Sequence, residues 1–144
     1  RHYSPMIPEY IRTQQGRSHD VMACADILIM ASGTATLEAS LFTTPMIITY
    51  KISKITEWIA RKIVKISFIG MPNILMDREI CPELIQDAMN ANTIANTLHD
   101  ILENTERYNI MRTELAEVRA LLEPNGAVTR AAQLIKERCT NGEA

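Results

Sequence analysis

Cysteine is scarce and scattered. Cys24, Cys81 and Cys139 are odd in number and include no C-x-x-C pair, so neither a disulfide framework nor a zinc site is expected, and buried thiols in a reducing cytosol are the default. His2, His19 and His99 show no metal-ligand spacing, and His19 beside Asp20 reads as a helix-start residue. Aromatic side chains are 5% of the 144 residues, and the formal charge of −2 lacks the basic excess of a nucleic-acid binder. No apolar run approaches the ~18 residues of a membrane-spanning helix, no signal peptide is visible, and nothing repeats. There is no P-loop lysine, no catalytic triad and no carboxylate pair, so the motifs present speak of binding more than bond-breaking.

What is present is hydrophobic patterning of the α/β kind, with 47% hydrophobic residues, enough for a packed core. Ile27 to Met30 reads as a buried strand, Thr34 to Phe42 as a helix with Leu37 and Leu41 inward, and Met46 to Thr49 as a strand covered on both faces. This is a βαβ unit, whose crossover should be right-handed. Ile11 to Thr13 is a further strand candidate, and Ser18 is a candidate cap for a helix from His19 to Ala25. Ser67 to Gly70 is a candidate edge strand, Met71 to Glu79 a loop, and Pro82 the start of a short helix carrying Glu83 and Gln86. From Asn92 the pattern is helical: Thr93 to Leu102, about Glu106 to Leu122, and Ala127 to Arg138. Two units are expected, a Rossmann-like domain over 1–90 and C-terminal helices over 91–144.

The first chemical signal is Ser32-Gly33-Thr34, a small-residue turn between a strand and a helix. Such a turn leaves N–H groups unpaired at the helix start, where the dipole favours phosphate. Glu38 shares a helix face with Thr34 by its i, i+4 spacing and suits sugar hydroxyls. A bare tight turn, needing Gly only for backbone freedom, is the plainer alternative. The second cluster is Asn73, Arg78, Glu79, Glu83 and Gln86. Its Arg offers a planar fork for phosphate, and its other members suit hydroxyls. A solvated loop before an amphipathic helix is the alternative there. Around Trp58, the basic Lys51, Lys54, Arg61, Lys62 and Lys65 face a single acid, Glu57. This reads either as the solvated side of a half-buried helix or as a patch for anionic lipid.

Taken in order, Gly16-Arg17-Ser18, A-S-G-T-A-T-L-E-A (31–39), T-P-M-I-I-T-Y-K (44–51), W-I-A-R-K-I-V-K (58–65) and P-N-I-L-M-D-R-E-I-C-P-E-L-I-Q (72–86) resemble the lipid-A-disaccharide synthase family of bacterial glycosyltransferases. Met76-Asp77 departs from it, where members commonly carry small residues before Arg-Glu. The resemblance implies a GT-B architecture of two Rossmann-like domains, this chain being the C-terminal, nucleotide-sugar-binding half with a helical tail. A start at Arg1 rather than Met agrees with a chain cut from something longer. The implied reaction joins UDP-2,3-diacylglucosamine to lipid X, inverts the anomeric centre and releases UDP, at the cytoplasmic face of the inner membrane of Gram-negative bacteria.

The implied donor-binding residues are Ser32, Gly33, Thr34, Glu38, Asn73, Arg78, Glu79 and Gln86. The general base is expected on the N-terminal domain, so no catalytic residue is assigned here, and this half alone is expected to be inactive. No metal and no cofactor are expected, in keeping with the lack of a D-x-D-like motif. The tail helices are expected to pack on the Rossmann-like domain, to return to the N-terminal domain, or to pack on a second copy as a homodimer. Two other readings share the Gly turn and the carboxylate: another UDP-N-acetylglucosamine transferase or epimerase of GT-B type, and a non-catalytic nucleotide-binding module.

Overall fold

The computed structural model describes residues 8–51, 67–122 and 127–140. In chain order these form α1 (Ser18–Cys24), β1 (Leu28–Ala31), α2 (Ala35–Leu41), β2 (Met46–Tyr50), α3 (Met71–Met76), β3 (Glu83–Ile85), a 3-10 turn (Gln86–Ala88), α4 (Ala91–Glu103), α5 (Thr105–Leu122) and α6 (Ala127–Thr140). The strands make a parallel sheet in the order β1-β2-β3, flanked by helices and followed by a helical tail. That is the Rossmann-like α/β class expected.

The central strand explains the core. Met46, Ile47 and Ile48 are fully buried, because a parallel strand with neighbours on both edges and helices on both faces has no wet side. Ala39, Cys81, Leu84, Ile101, Met111, Leu115 and Val118 close around it. In α5 the buried positions Met111, Leu115 and Val118 follow a helical stripe. Asn90 caps α4 by accepting a bond from Thr93 N at 3.0 Å. Tyr108 Oη donates to Asp26 O at 2.9 Å and ties α5 to the turn before β1. The described side chains of α6 are all exposed, Leu134 and Ile135 among them.

Several expectations are corrected. No strand forms at Ile11 to Thr13, since no described strand borders it and a strand exists only through its ladder. Ser18 is the first residue of α1, not its cap; the N-cap is Arg17, with no side-chain cap bond. In α2 the inward face is Thr36, Ala39 and Ser40, while Leu41 is exposed and Leu37 only partly covered. Small side chains let α2 lie close against α5, and Ser40 Oγ satisfies itself by donating to Thr36 O at 2.8 Å.

Ser67 to Gly70 is not a strand. The Ile69 and Gly70 N–H groups donate to the Glu83 carboxylate instead of to a neighbouring ladder. The expected loop from Met71 is α3, opened by Pro72 in its first turn and ended by Asp77 in the left-handed region at φ 50°. The segment after Pro82 is β3 and a 3-10 turn, because Ile48 N donates to Pro82 O at 2.8 Å and starts the third ladder. The basic residues around Trp58, from Lys54 to Lys65, lie outside the described residues.

Of the three thiols expected to be buried, only Cys81 is. Cys24 and Cys139 are exposed, whereas burial pushes the Cys81 thiol up to about 12, partly offset by a hydrogen bond from the Met46 backbone. A native-state thiol titration should therefore label Cys24 and Cys139 promptly and Cys81 only as the chain unfolds. Because the unfolded thiol releases its proton at lower pH than the folded one, Cys81 subtracts stability as pH rises from about 9 toward about 12. Prompt labelling of all three would contradict this burial.

Candidate functional site

Strand register defines the two ends of the sheet. Ala31 pairs with Thr49, and Tyr50 pairs with Ile85, so Ser32-Gly33, Lys51 and Gln86 follow the three strands at one carboxyl edge. In open parallel sheets this is where ligands sit. Glu83 pairs with Ile48, so the residues just before β3 lie toward the opposite, amino edge.

At the carboxyl edge the turn is tied down on two sides. Ser32 N donates to Thr49 O at 3.1 Å and Ser32 Oγ donates to Ile69 O at 2.6 Å. Thr36 closes the turn with its own N–H and hydroxyl on Gly33 O, at 3.1 and 2.7 Å. The N–H groups of Gly33, Thr34 and Ala35 have no acceptor among the described residues. Among the described residues, a Cβ built on Gly33 would meet nothing within 4 Å. Both of Ser32's own donors are thus committed within the protein, and the N–H groups without a described acceptor belong to the residues after it.

Glu38 flanks this turn on the exposed face of α2. His19 Nε2 lies 3.1 Å from Glu38 Oε2, and the His19 ring stands 6.0 Å from that of Phe42. Sequence reading gave His19 no part in the site. Only the packing of α1 on α2 brings the two residues together, and no local motif announces it. Gln86 opens the 3-10 turn at φ 55°, directly beyond β3.

The second cluster divides. Asn73 is fully buried, and its amide is saturated within the chain. Nδ2 donates to Cys81 O at 2.7 Å and to Glu83 Oε1 at 2.8 Å, while Oδ1 accepts from Ile80 N and Cys81 N at 2.9 Å each. An amide has two donor hydrogens and two acceptor sites, so none remains to meet a sugar. The structure makes Asn73 a staple between α3 and β3.

Arg78 and Glu79 fall beyond the far end of α3, about 9 Å along the axis from its start, toward the amino edge. Arg78 Nη1 pairs with Glu114 Oε1, and Nη2 donates to Glu117 Oε2 at 2.7 Å, clamping the chain to α5. Glu79 borders a cavity of about 200 Å³ with Ile80, Pro82, Arg107 and Glu114. The start of α3 neighbours Ser32 through the Ile69 carbonyl, whereas Arg78 and Glu79 lie beyond its other end. Arg78→Ala should cost about 1 kcal/mol of stability, as half-exposed ion pairs do, while nucleotide affinity stays within about twofold because distant sites act independently. Denaturant melts and a UDP titration measure the two. A large loss of affinity with unchanged stability would return Arg78 to the site.

Among the described residues no group of three or more His, Cys, Asp or Glu is placed to hold a metal ion, and no helix is long and apolar enough to cross a membrane.

The family model for lipid-A-disaccharide synthetase matches residues 9–137. The lipid-A-disaccharide synthase of Sulfurihydrogenibium sp. (strain YO3AOP1) is 43% identical over 127 residues, 88% of this chain and 33% of that protein. That of Persephonella marina is 41% identical over 120 residues, 83% of this chain and 32% of its own length. That of Pseudomonas putida (strain GB-1) is 36% identical over 127 residues, 85% of this chain and 33% of its own. The chain thus spans about a third of the curated relatives it matches.

Proposed function

This chain belongs to the lipid-A-disaccharide synthetase family, and from that premise we propose that it binds the nucleotide-sugar donor of a lipid A glycosyltransferase. The observation that carries the reading is the pairing of the Gly33, Thr34 and Ala35 N–H groups, which have no acceptor among the described residues, with the exposed Glu38 carboxylate one turn further on. The N–H groups receive the diphosphate of UDP and Glu38 accepts the ribose hydroxyls. Gln86, on the same edge, takes a polar group of the donor. Asn73 contributes by holding α3 against β3.

Chemically, the acceptor hydroxyl of lipid X attacks the anomeric carbon of UDP-2,3-diacylglucosamine. The bond to the diphosphate oxygen breaks, and UDP leaves with the bonding pair. The acceptor's proton passes to a base supplied from outside this chain. This chain's part is electrostatic: preorganised N–H groups at the start of α2 stabilise charge growing on the leaving diphosphate without solvent reorganisation. Product formation from the two lipid substrates by the full-length protein is the direct test. Transfer to an acceptor other than lipid X, or no transfer with intact UDP binding, would favour the other GT-B activity or the binding module.

The acyl-chain substrates also motivate attachment to the membrane surface, a reading that rests on the sequence of Lys54 to Lys65 alone. Each basic residue near an anionic surface contributes about 1 kcal/mol, weakened by salt. Sedimentation with anionic vesicles at low salt should be reduced when Lys62 and Lys65 are reversed to Glu. Equal sedimentation by that variant removes the patch from consideration.

A further inference from the structure

We infer that Glu83 is a positioning residue for the diphosphate turn, acting through the Ile69–Gly70 peptide and the Ser32 hydroxyl. The inference rests on the reading that this turn receives the donor diphosphate.

Glu83 lies on β3, and its half-buried carboxylate accepts from three donors. Ile69 N reaches its two oxygens at 3.1 and 2.9 Å, Gly70 N reaches Oε1 at 2.8 Å, and Asn73 Nδ2 reaches Oε1 at 2.8 Å. The Gly70 N–H and the Ile69 C=O belong to one peptide unit. That unit is planar and trans, so its N–H and C=O point in opposite directions. Glu83 holds the N–H side, and the carbonyl side accepts the Ser32 hydroxyl at 2.6 Å. Fixing the peptide at Glu83 therefore aims the Ile69 carbonyl at Ser32, and the bond to the carboxylate polarises the same amide and makes that carbonyl a better acceptor.

The peptide lies close against β2: a Cβ on Gly70 would stand 2.2 Å from Ile48 Cδ1 and 3.0 Å from Glu83 Oε1, so a larger residue there would force the buried Ile48 side chain to shift. With its hydroxyl on Ile69 and its N–H on Thr49 O, Ser32 is held from two sides. The donors of Gly33, Thr34 and Ala35 follow directly from it along the chain. The Glu83 carboxylate thereby sets where the phosphate-binding groups stand.

The test is calorimetric titration of UDP into the full-length protein, with thermal melts alongside. Glu83→Gln keeps the side chain's size but sets an NH2 group against backbone donors. It should raise the dissociation constant several-fold, and Glu83→Asp, which keeps the charge but shortens the reach, should fall between it and the parent. Ser32→Ala cuts the same path at its other end. Because both substitutions act through one peptide, the double variant Glu83→Gln/Ser32→Ala should bind no worse than the weaker single variant, a non-additivity that general destabilisation does not produce. Where Glu83→Gln does not fold, Glu83→Asp with Ser32→Ala completes the cycle. Additive losses, or Glu83 variants that melt lower yet bind UDP like the parent, overturn the inference. Glu38→Ala separates the two levels. If it weakens UDP binding while the Glu83 variants do not, the inference alone fails. If the parent protein binds neither UDP nor inorganic pyrophosphate, the diphosphate reading of the turn fails as well.

Discussion

Asn73→Ala should destabilise the fold by about 3–5 kcal/mol, at the upper end of what single substitutions do. The truncation strips four hydrogen bonds from a side chain with no exposed surface. It leaves the N–H groups of Ile80 and Cys81 and the carbonyl of Cys81 without their partner, and each buried group left so costs about 1–3 kcal/mol. Part of that returns where a water enters the vacated space, which keeps the total below the simple sum. Asn73→Asp separates hydrogen bonding from volume. It preserves shape but turns both donors into acceptors, one facing the Cys81 carbonyl and one the Glu83 carboxylate. It should be at least as damaging as alanine near neutral pH and recover partly on acidification, when a protonated carboxyl again offers a hydrogen. Urea unfolding at two pH values reads both variants. A loss under about 1 kcal/mol for alanine would mean the network is not formed in solution.

The same residue shows where the sequence stops being legible. A polar side chain between Pro72 and Ile74-Leu75 stands out in the sequence, but two causes produce that pattern: a group reaching a ligand and a group stapling the interior. Deciding between them requires Ile80, Cys81 and Glu83, which reach Asn73 only after α3 and β3 are placed. Arg78 poses the same problem over a longer span, since its partners Glu114 and Glu117 lie 36 and 39 residues away. His19 and Glu38, 19 residues apart, meet only through the packing of α1 on α2.

Ile47-Ile48 announces a doubly covered strand because β-branched runs of that length need neighbours on both faces. Ser32-Gly33-Thr34 announces a strand-to-helix turn because small residues suit it. The inward face of α2 was missed because periodicity rewards large side chains. Thr36, Ala39 and Ser40 are inside through close helix approach, a property of the pair of helices and not of α2 alone. At Ser67 to Gly70 a side-chain acceptor from β3 replaced the ladder that apolar residues suggest.

Glu38→Ala should weaken UDP binding by about tenfold to a hundredfold. Hydrogen bonds to a charged group contribute about 1.5–3 kcal/mol, and each 1.4 kcal/mol is about tenfold in affinity. Glu38 is half exposed and already engaged by His19 on Oε2, so Oε1 is the oxygen open to a ribose hydroxyl, and the lower part of that range is the expectation for the single variant. A control ligand gives the prediction its direction. Inorganic pyrophosphate has the diphosphate charge and no ribose, so the same substitution should leave its binding unchanged or strengthen it, because a carboxylate one turn from the anion site repels it. The two ligands should therefore move in opposite senses, or one should move and the other stay. Parallel weakening of both would mean that Glu38 supports the turn's shape and not the sugar, and unchanged UDP affinity would remove Glu38 from the site. Titrating both ligands at two ionic strengths completes the argument, since repulsion at an exposed carboxylate fades with salt while a direct hydrogen bond to a hydroxyl does not.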